Sequence, residues 1–285
     1  MAIDNFIPEI WTASVETEFK AAQIVIPTVN GKYDGEIARG NTVKITGAVT
    51  PTIVDYKAAG RVINPEALED DGQDLLIDQE KAFSVNIDDI DRVQAAGSLE
   101  NWTTSAGQAL AEDAEDFLLG KMLTESFGLN ITGSAPVTVD TADKARAALL
   151  KIRTYLNNQK LPTTNRYVVV NPVFASFLID QLSDASYAGG DNELRNGFVG
   201  RIYGMDVLES PLLGTATLPT AVGYHSNGIA FAGQINSVES LRNTTKFADI
   251  VRGLNVYGGK VIRQNLVASY VSGGVAQNAA STFLS

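Results

Sequence analysis

Apolar residues recur at helical spacing in four places along the chain. From Leu99 the series Leu99, Trp102, Ala106, Leu110, Ala114, Phe117 or Leu118, and Met122 steps by three or four residues, so one face of a helix is buried. The pattern predicts a helix over 98–127; about 30 residues at ~1.5 Å each give about 45 Å, far beyond an ordinary globular helix. A second stripe, Ala145, Ala148, Leu149, Ile152, Tyr155 and Leu156, begins behind Asp140 or Thr141 as a cap and ends before Pro162. Asn171 caps a third helix, with Pro172 in the favoured first position and Phe174, Phe177, Leu178 and Leu182 following. Near the start, Trp11, Val15, Phe19 and Ala22 predict a short amphipathic helix that Pro27 and Asn30-Gly31 stop.

Elsewhere the period is two, or the run is short and wholly apolar. Residues 42–46 and 83–87 alternate, and between them lies a polar excursion with Pro51, Gly60, Pro65 and an acidic run from Glu69 to Asp74. An excursion that long buries little of its own surface and needs a partner or a function. Tyr167–Val170 reads as a buried strand between the second and third helices. Further strands are expected at 198–203, 205–209, 221–224, 229–232 and 238–241. Residues 247–257 and 260–270 are expected to form a closing hairpin around Gly258-Gly259, where a two-residue turn suits glycine. Residues 128–138 form a turn-rich link and the best candidate boundary. The mixture makes the chain α+β.

The 285 residues are 45% hydrophobic and 19% charged, enough for a substantial core. With no Cys there is no disulfide framework, thiol nucleophile or thiolate metal site. One His excludes any site needing two imidazoles in one chain. A net charge of −11 argues against a protein whose main work is neutralising phosphates. No segment approaches the length of an apolar membrane span, and the first residues carry no basic, apolar leader.

Candidate chemistry is sparse. Asp88, Asp89 and Asp91 stand where a helix is expected to begin, so capping explains them better than a metal. Glu112, Asp113, Glu115 and Asp116 are expected on a solvated or inter-subunit face of the long helix. The run Glu69, Asp70, Asp71 and Asp74 lacks the terminal bidentate Glu of a calcium loop. Gly253–Lys260 lacks the Lys-Ser/Thr ending of a phosphate loop, and no nucleophile elbow occurs. His225 has no motif around it, and neither a cofactor nor a metal is expected.

The order of elements is more specific than any motif. The phrases Phe6-Ile7-Pro8-Glu9-Ile10-Trp11, Asn196–Val207 (NGFVGRIYGMDV), Lys246–Leu254 (KFADIVRGL) and Tyr257-Gly258-Gly259 resemble those of major capsid proteins of tailed bacteriophages, the Hong Kong 97-like coat fold. The resemblance implies an N-terminal arm at 1–32 and an extended loop with supporting strands at 33–87. It implies a peripheral domain at 88–137 plus 243–285, with the long helix as spine, and an axial domain at 138–242. It implies a structural, non-enzymatic subunit that self-assembles through pentamers and hexamers into an icosahedral shell around double-stranded DNA, in the virion, after assembly in the bacterial cytoplasm. Its partners would be further copies, a portal protein, a separate scaffolding protein (the arm begins almost at Met1) and optionally a decoration protein; DNA would be enclosed without sequence-specific binding, and no membrane is involved. Inter-subunit contacts are expected at Trp11, Phe19, Tyr56, Lys57 and Arg61. Some members link Lys to Asn covalently; Lys57, Asn255 and Asn265 are of the right types, but no local pattern pairs them. Two other readings are an encapsulin-like compartment around a cargo enzyme and a metal-dependent hydrolase using Asp88, Asp89 and Asp91.

Overall fold

The computed structural model describes residues 23–33, 42–45, 52–58, 60–62, 72–88, 100–129, 131–132, 135–136, 138–184, 198–215 and 217–272. The elements are β1 (Thr42–Ile45), β2 (Gln73–Leu76), β3 (Gln79–Asp88), α1 (Glu100–Glu125), β4 (Phe127–Gly128), β5 (Ile131–Thr132), β6 (Ala135–Pro136), α2 (Ala142–Asn158), β7 (Arg166–Val170), α3 (Pro172–Asp184), β8 (Phe198–Ile202), β9 (Met205–Glu209), β10 (Thr220–His225), β11 (Ile229–Arg242), β12 (Ala248–Val261) and β13 (Val267–Val271).

A mixed six-stranded sheet, ordered β4-β13-β10-β7-β9-β8, forms the centre of one core. Its strands are short and apolar on both faces because both are covered. Val169, Leu208, Val222 and Tyr224 face α1 together with Ala114, Leu118, Leu119 and Met122. Val168, Val170, Val207, Ala221 and Tyr270 face the other way, onto α2 and α3 through Ala145, Leu149, Ile152, Phe174 and Leu178. The caps that start these two helices are those expected. Thr141 accepts from Lys144 N at 3.4 Å. Asn171 Oδ1 accepts from Phe174 N and from Thr220 N, both at 3.0 Å, and so ties the start of α3 to β10.

The second sheet is a long ribbon, ordered β11-β12-β3. β11 and β12 pair from Ile229↔Val261 to Arg242↔Asp249, with a register shift between Ile235 and Ser237. β3 lies along the other edge of β12, from Ala248↔Asp88 to Tyr257↔Gln79. The two strands expected at 229–232 and 238–241 are thus one. The hairpin expected around Gly258-Gly259 does not form: both glycines lie inside β12. The reversal comes instead between Arg242 and Ala248, where Asn243 N donates to Ala248 O and the Asn243 side chain accepts from Thr245 N, both at 2.9 Å. The glycines serve close approach. A Cβ on Gly258 would collide with Leu76 O and come within 2.9 Å of Ile77 Cα, so β2 can cross there only over a bare backbone.

β1 and β2 make a two-stranded sheet; Val43, Ile45, Leu75 and Ile77 bury against Ala230 and Ala232 of β11. Asp88 closes β3 opposite Ala248; Asp89 and Asp91, and with them the helix start expected there, lie outside the described residues. The helix expected around Trp11–Ala22 also lies outside them; of the loop expected from the polar, Gly-rich run at 183–191, Ser183 and Asp184 belong instead to α3, and 185–191 lie outside the described residues.

Candidate assembly surface

Two features present groups that the chain's own core does not absorb, and a third, the root of the N-terminal segment, is tied into that core. The first is the turn at 52–58 and 60–62, between β1 and β2. Asp55 Oδ1 accepts from Lys57 N at 2.9 Å and Ala58 N at 3.2 Å, and Arg61 N donates to Tyr56 O at 2.8 Å. Gly60 and Arg61 both take positive φ (67° and 63°), which closes the turn and sets the cations Lys57 and Arg61 on either side of a tight bend. Its large apolar side chains face solvent: Ile53 is 94% exposed and Val62 66%, with Val54 and Tyr56 half exposed. Single exposed apolar residues are ordinary, but four in one short turn mark a contact surface. Of the residues expected to meet neighbours, Tyr56, Lys57 and Arg61 all lie on this turn; Trp11 and Phe19 lie outside the described residues.

The second feature is the outer face and tip of the β11–β12 ribbon. Phe247 at the tip is 80% exposed and Leu241 is also exposed. Farther along, Ala82, Phe83, Ser84, Glu239, Arg252, Gly253 and Leu254 line an open groove of about 420 Å³, with Arg252 Nη2 paired to Glu239 Oε2 at 2.5 Å.

The third feature is the root of the N-terminal segment. Ile24 N and Val25 N both donate to Glu115 Oε2, at 2.8 and 3.3 Å, and Ser210 Oγ donates to Oε1 at 3.4 Å. Glu115 is 3% exposed. Burial pushes its pKa up, against the lowering by these three donors. Thr28 Oγ1 and the Tyr224 phenol oxygen lie 2.5 Å apart, and burial raises the Tyr224 pKa strongly. Glu115 is therefore not on the solvated face expected of it. The signal was in the spacing: it stands four residues after Ala111 and four before Leu119, within the buried stripe. Glu112 and Asp116 are exposed, and the Asp113 side chain, 41% exposed, accepts from Tyr257 OH at 2.5 Å and pairs with Lys81 Nζ at 3.3 Å.

Groups of the catalytic type are held in structural roles. His225 is buried, and its Nδ1 accepts from Asn227 N at 3.2 Å. Burial first, and Arg166 second, lower its pKa. Among the described residues no group of three or more His, Asp or Glu could hold a metal ion, and no helix is long and apolar enough to cross a membrane. Asn255 is buried on β12.

The sheet, spine helix and ribbon can be compared with known proteins. The family described as phage capsid protein matches residues 72–268, more than half of the chain. The chain belongs to the phage capsid protein family. Its fold is the Hong Kong 97-like one, and its role is structural, as a part of a phage capsid. A solved structure from Mycobacterium phage Che8 is similar, at 39% identity over 87% of this chain and 90% of that one, with a TM-score of 0.73. The capsid structure of the Cyanophage P-SCSP1u shares the fold at 15% identity, over 88% and 86% of the two chains, with a TM-score of 0.64. So does a virus-like particle from Pyrococcus furiosus, at 9% identity over 92% and 98%, with a TM-score of 0.59. A comparison with curated protein sequences gives no match.

Proposed function

We propose that copies of this capsid protein close into an icosahedral shell through pentamers and hexamers, enclosing double-stranded DNA, and that the turn at 52–62 seats on a neighbouring copy. The exposure of Ile53, Val54, Tyr56 and Val62 carries this reading. Each such side chain contributes about 1.5–3 kcal/mol when fully buried. Part of that is offset by ordering the loop. Repeated over every subunit of a closed shell, even a small surplus at each seat becomes decisive. Tyr56, Lys57 and Arg61 are the contact residues on the described part of this surface, and Trp11 and Phe19 are assigned the same role in the arm.

The division into arm (1–32), extended loop (33–87), peripheral domain (88–137 with 243–285) and axial domain (138–242) is supported by the separate cores on α2–α3 and on β1–β2. β13 ties the C-terminal segment back into the six-stranded sheet beside β10. The subunit has no catalytic role in this reading. A portal, a separate scaffolding protein and, optionally, a decoration protein complete the particle, which assembles in the bacterial cytoplasm. Electron microscopy of the purified full chain tests the proposal: hollow particles tens of nanometres wide with five- and six-fold capsomers support it. A monomer at every concentration refutes it, and particles filled with a cargo enzyme in place of DNA favour the compartment reading.

A further inference from the structure

Charge is unevenly distributed along the chain. The whole sequence has 33 acidic and 22 basic residues, yet residues 140–166 hold six of the basic ones (Lys144, Arg146, Lys151, Arg153, Lys160, Arg166) and only two acids, Asp140 and Asp143. The structure sorts them. The buried stripe of α2 is Ala145, Ala148, Leu149, Ile152 and Leu156. Lys144 and Lys151 border it on one side, Arg146 and Arg153 on the other, and all four are exposed. Each pair is separated by seven residues, about 10.5 Å along the axis. The outermost line between the rows carries Ala147, Leu150 and Thr154. Asp143 sits in the first turn, where it suits the helix N-terminus. Asp140 pairs with Lys144 at 2.7 Å. Among the described residues no carboxylate pairs with Arg146, Lys151, Arg153 or Lys160.

The field of this patch is felt at the end of the helix. Arg166 is buried with no acid partner among the described residues: its donors go to Pro162 O at 2.6 Å, Asn157 Oδ1 at 2.6 Å and Leu161 O at 2.7 Å. Burial and then Arg153 lower its pKa, and burial and then Arg166 lower that of His225. Among the described residues, Arg153, Lys160 and Arg166 therefore stand at this end of α2 with no carboxylate paired to them.

What such a face fits follows from what it lacks. Protein interfaces are anchored by aromatic or other large side chains seated in pockets. The outermost line of α2 offers one half-exposed Leu150, and its one aromatic, Tyr155, is half-buried to one side and stacked on Phe127, while Lys151 Nζ lies 5.9 Å from the Tyr270 ring. Two parallel rows of solvated cations, with no acidic side chain between them after the first turn, match phosphate contact without base reading. We propose that this face of α2 lies against the phosphate backbone of the enclosed double-stranded DNA. The inference rests on the reading of the chain as a shell around DNA. It assigns the contact to one helix of a chain whose remaining surface, net acidic, repels the same polymer.

Two measurements test it. In the first, DNA-filled and emptied particles are treated with a small amine-reactive ester, and Lys144, Lys151 and Lys160 are quantified by peptide mass spectrometry. Expected is several-fold slower acylation of Lys151 and Lys160 in filled than in emptied particles. Protection in both states assigns the face to a neighbouring copy and overturns the proposal, as does free reaction in both. In the second, the full unassembled chain is titrated with a mixed-sequence DNA duplex over a range of salt concentrations, beside the triple variant Arg146→Gln, Lys151→Gln, Arg153→Gln. All three positions are exposed, so the variant should fold; unchanged circular dichroism and melting check this. The slope of log K against log salt should fall by about 2.7, roughly 0.9 for each phosphate no longer neutralised. Equal slopes, or no binding by the parent chain at low salt, overturn the proposal. Particles that never hold DNA would defeat the shell-around-DNA reading, while the duplex titration still decides the patch.

Discussion

Glu115 and His225 are two buried titratable groups whose environments push their pKa values in opposite directions. Glu115 is displaced upward by burial, so the fold binds its proton more readily than the unfolded chain does. Its contribution to stability is full below the ordinary Glu range and is lost as pH rises through the raised value. His225 is displaced downward by burial and by Arg166, so the fold prefers the neutral ring. Its contribution is full above the ordinary His range and is lost as pH falls through the lowered value. Thermal melts across the acid-to-neutral range should therefore change slope in Glu115→Gln, which removes the first effect and leaves the second. His225 is the only imidazole in the chain, so a single NMR titration curve reports it, and its midpoint is expected below the usual 6.5. Glu115→Leu should be far worse than Glu115→Gln. It leaves the Ile24 and Val25 amides without their acceptor, at about 1–3 kcal/mol for each buried donor. Loosening of residues 24–28, read as reduced hydrogen-exchange protection, would accompany the lower melting point. Equal melting of the Gln and Leu variants would mean that the carboxylate does not hold this segment.

At the scale of elements, the ribbon separates two meanings of a Gly-Gly pair. Inside a turn, Gly258 would tolerate Asn or a residue of positive φ; inside β12, under β2, it tolerates no Cβ at all. Gly258→Ala is expected to cost about 1–3 kcal/mol, the usual range for overpacking. Gly120, on the exposed side of α1 with nothing near its missing Cβ, gives the contrast. Gly120→Ala should stabilise the isolated subunit by about 0.5–1 kcal/mol. Denaturant melts of the two variants check both signs, and a harmless Gly258→Ala would restore the turn reading. The same pair marks the limit of what the sequence discloses. α2 and α3 were legible because Thr141, Asn171 and Pro172 state their starts locally. The spine helix was legible from its stripe, its ends falling at Glu100 and Glu125 against 98 and 127 expected. The length of β11 and β12 was not legible. The true reversal between Arg242 and Ala248 carries no glycine, while the glycines at 258 and 259 answer to β2 and α1, both distant in sequence. Glu115 was legible in position but not in meaning, since its partners Ile24, Val25 and Ser210 lie about ninety residues away.

At the scale of the whole molecule, the excursion between β1 and β3 divides between the subunit and the shell. β2 belongs to the subunit: Leu75 is fully buried, and it packs with Val43 and Ile45 on Ala230 and Ala232. A deletion reaching residue 75 would therefore injure the fold as well as any seat on a neighbour. The turn at 52–62 adds nothing comparable to its own core, because Ile53, Val54, Tyr56 and Val62 all face outward. Replacing residues 52–62 with a Gly/Ser segment of equal length should leave the melting of the isolated subunit within about 1 kcal/mol, as for surface changes that touch no core, cap or buried polar group. Assembly should fail or yield only small, open fragments, because every copy is weakened at the same place and the effect multiplies around the shell. Analytical ultracentrifugation of parent and variant, with melting curves on the dissociated chains, separates the two effects. A variant that melts early would place the turn in the subunit's own core. One that melts normally and still closes into full-sized shells would leave these outward apolar side chains without the neighbour on which the assembly proposal depends.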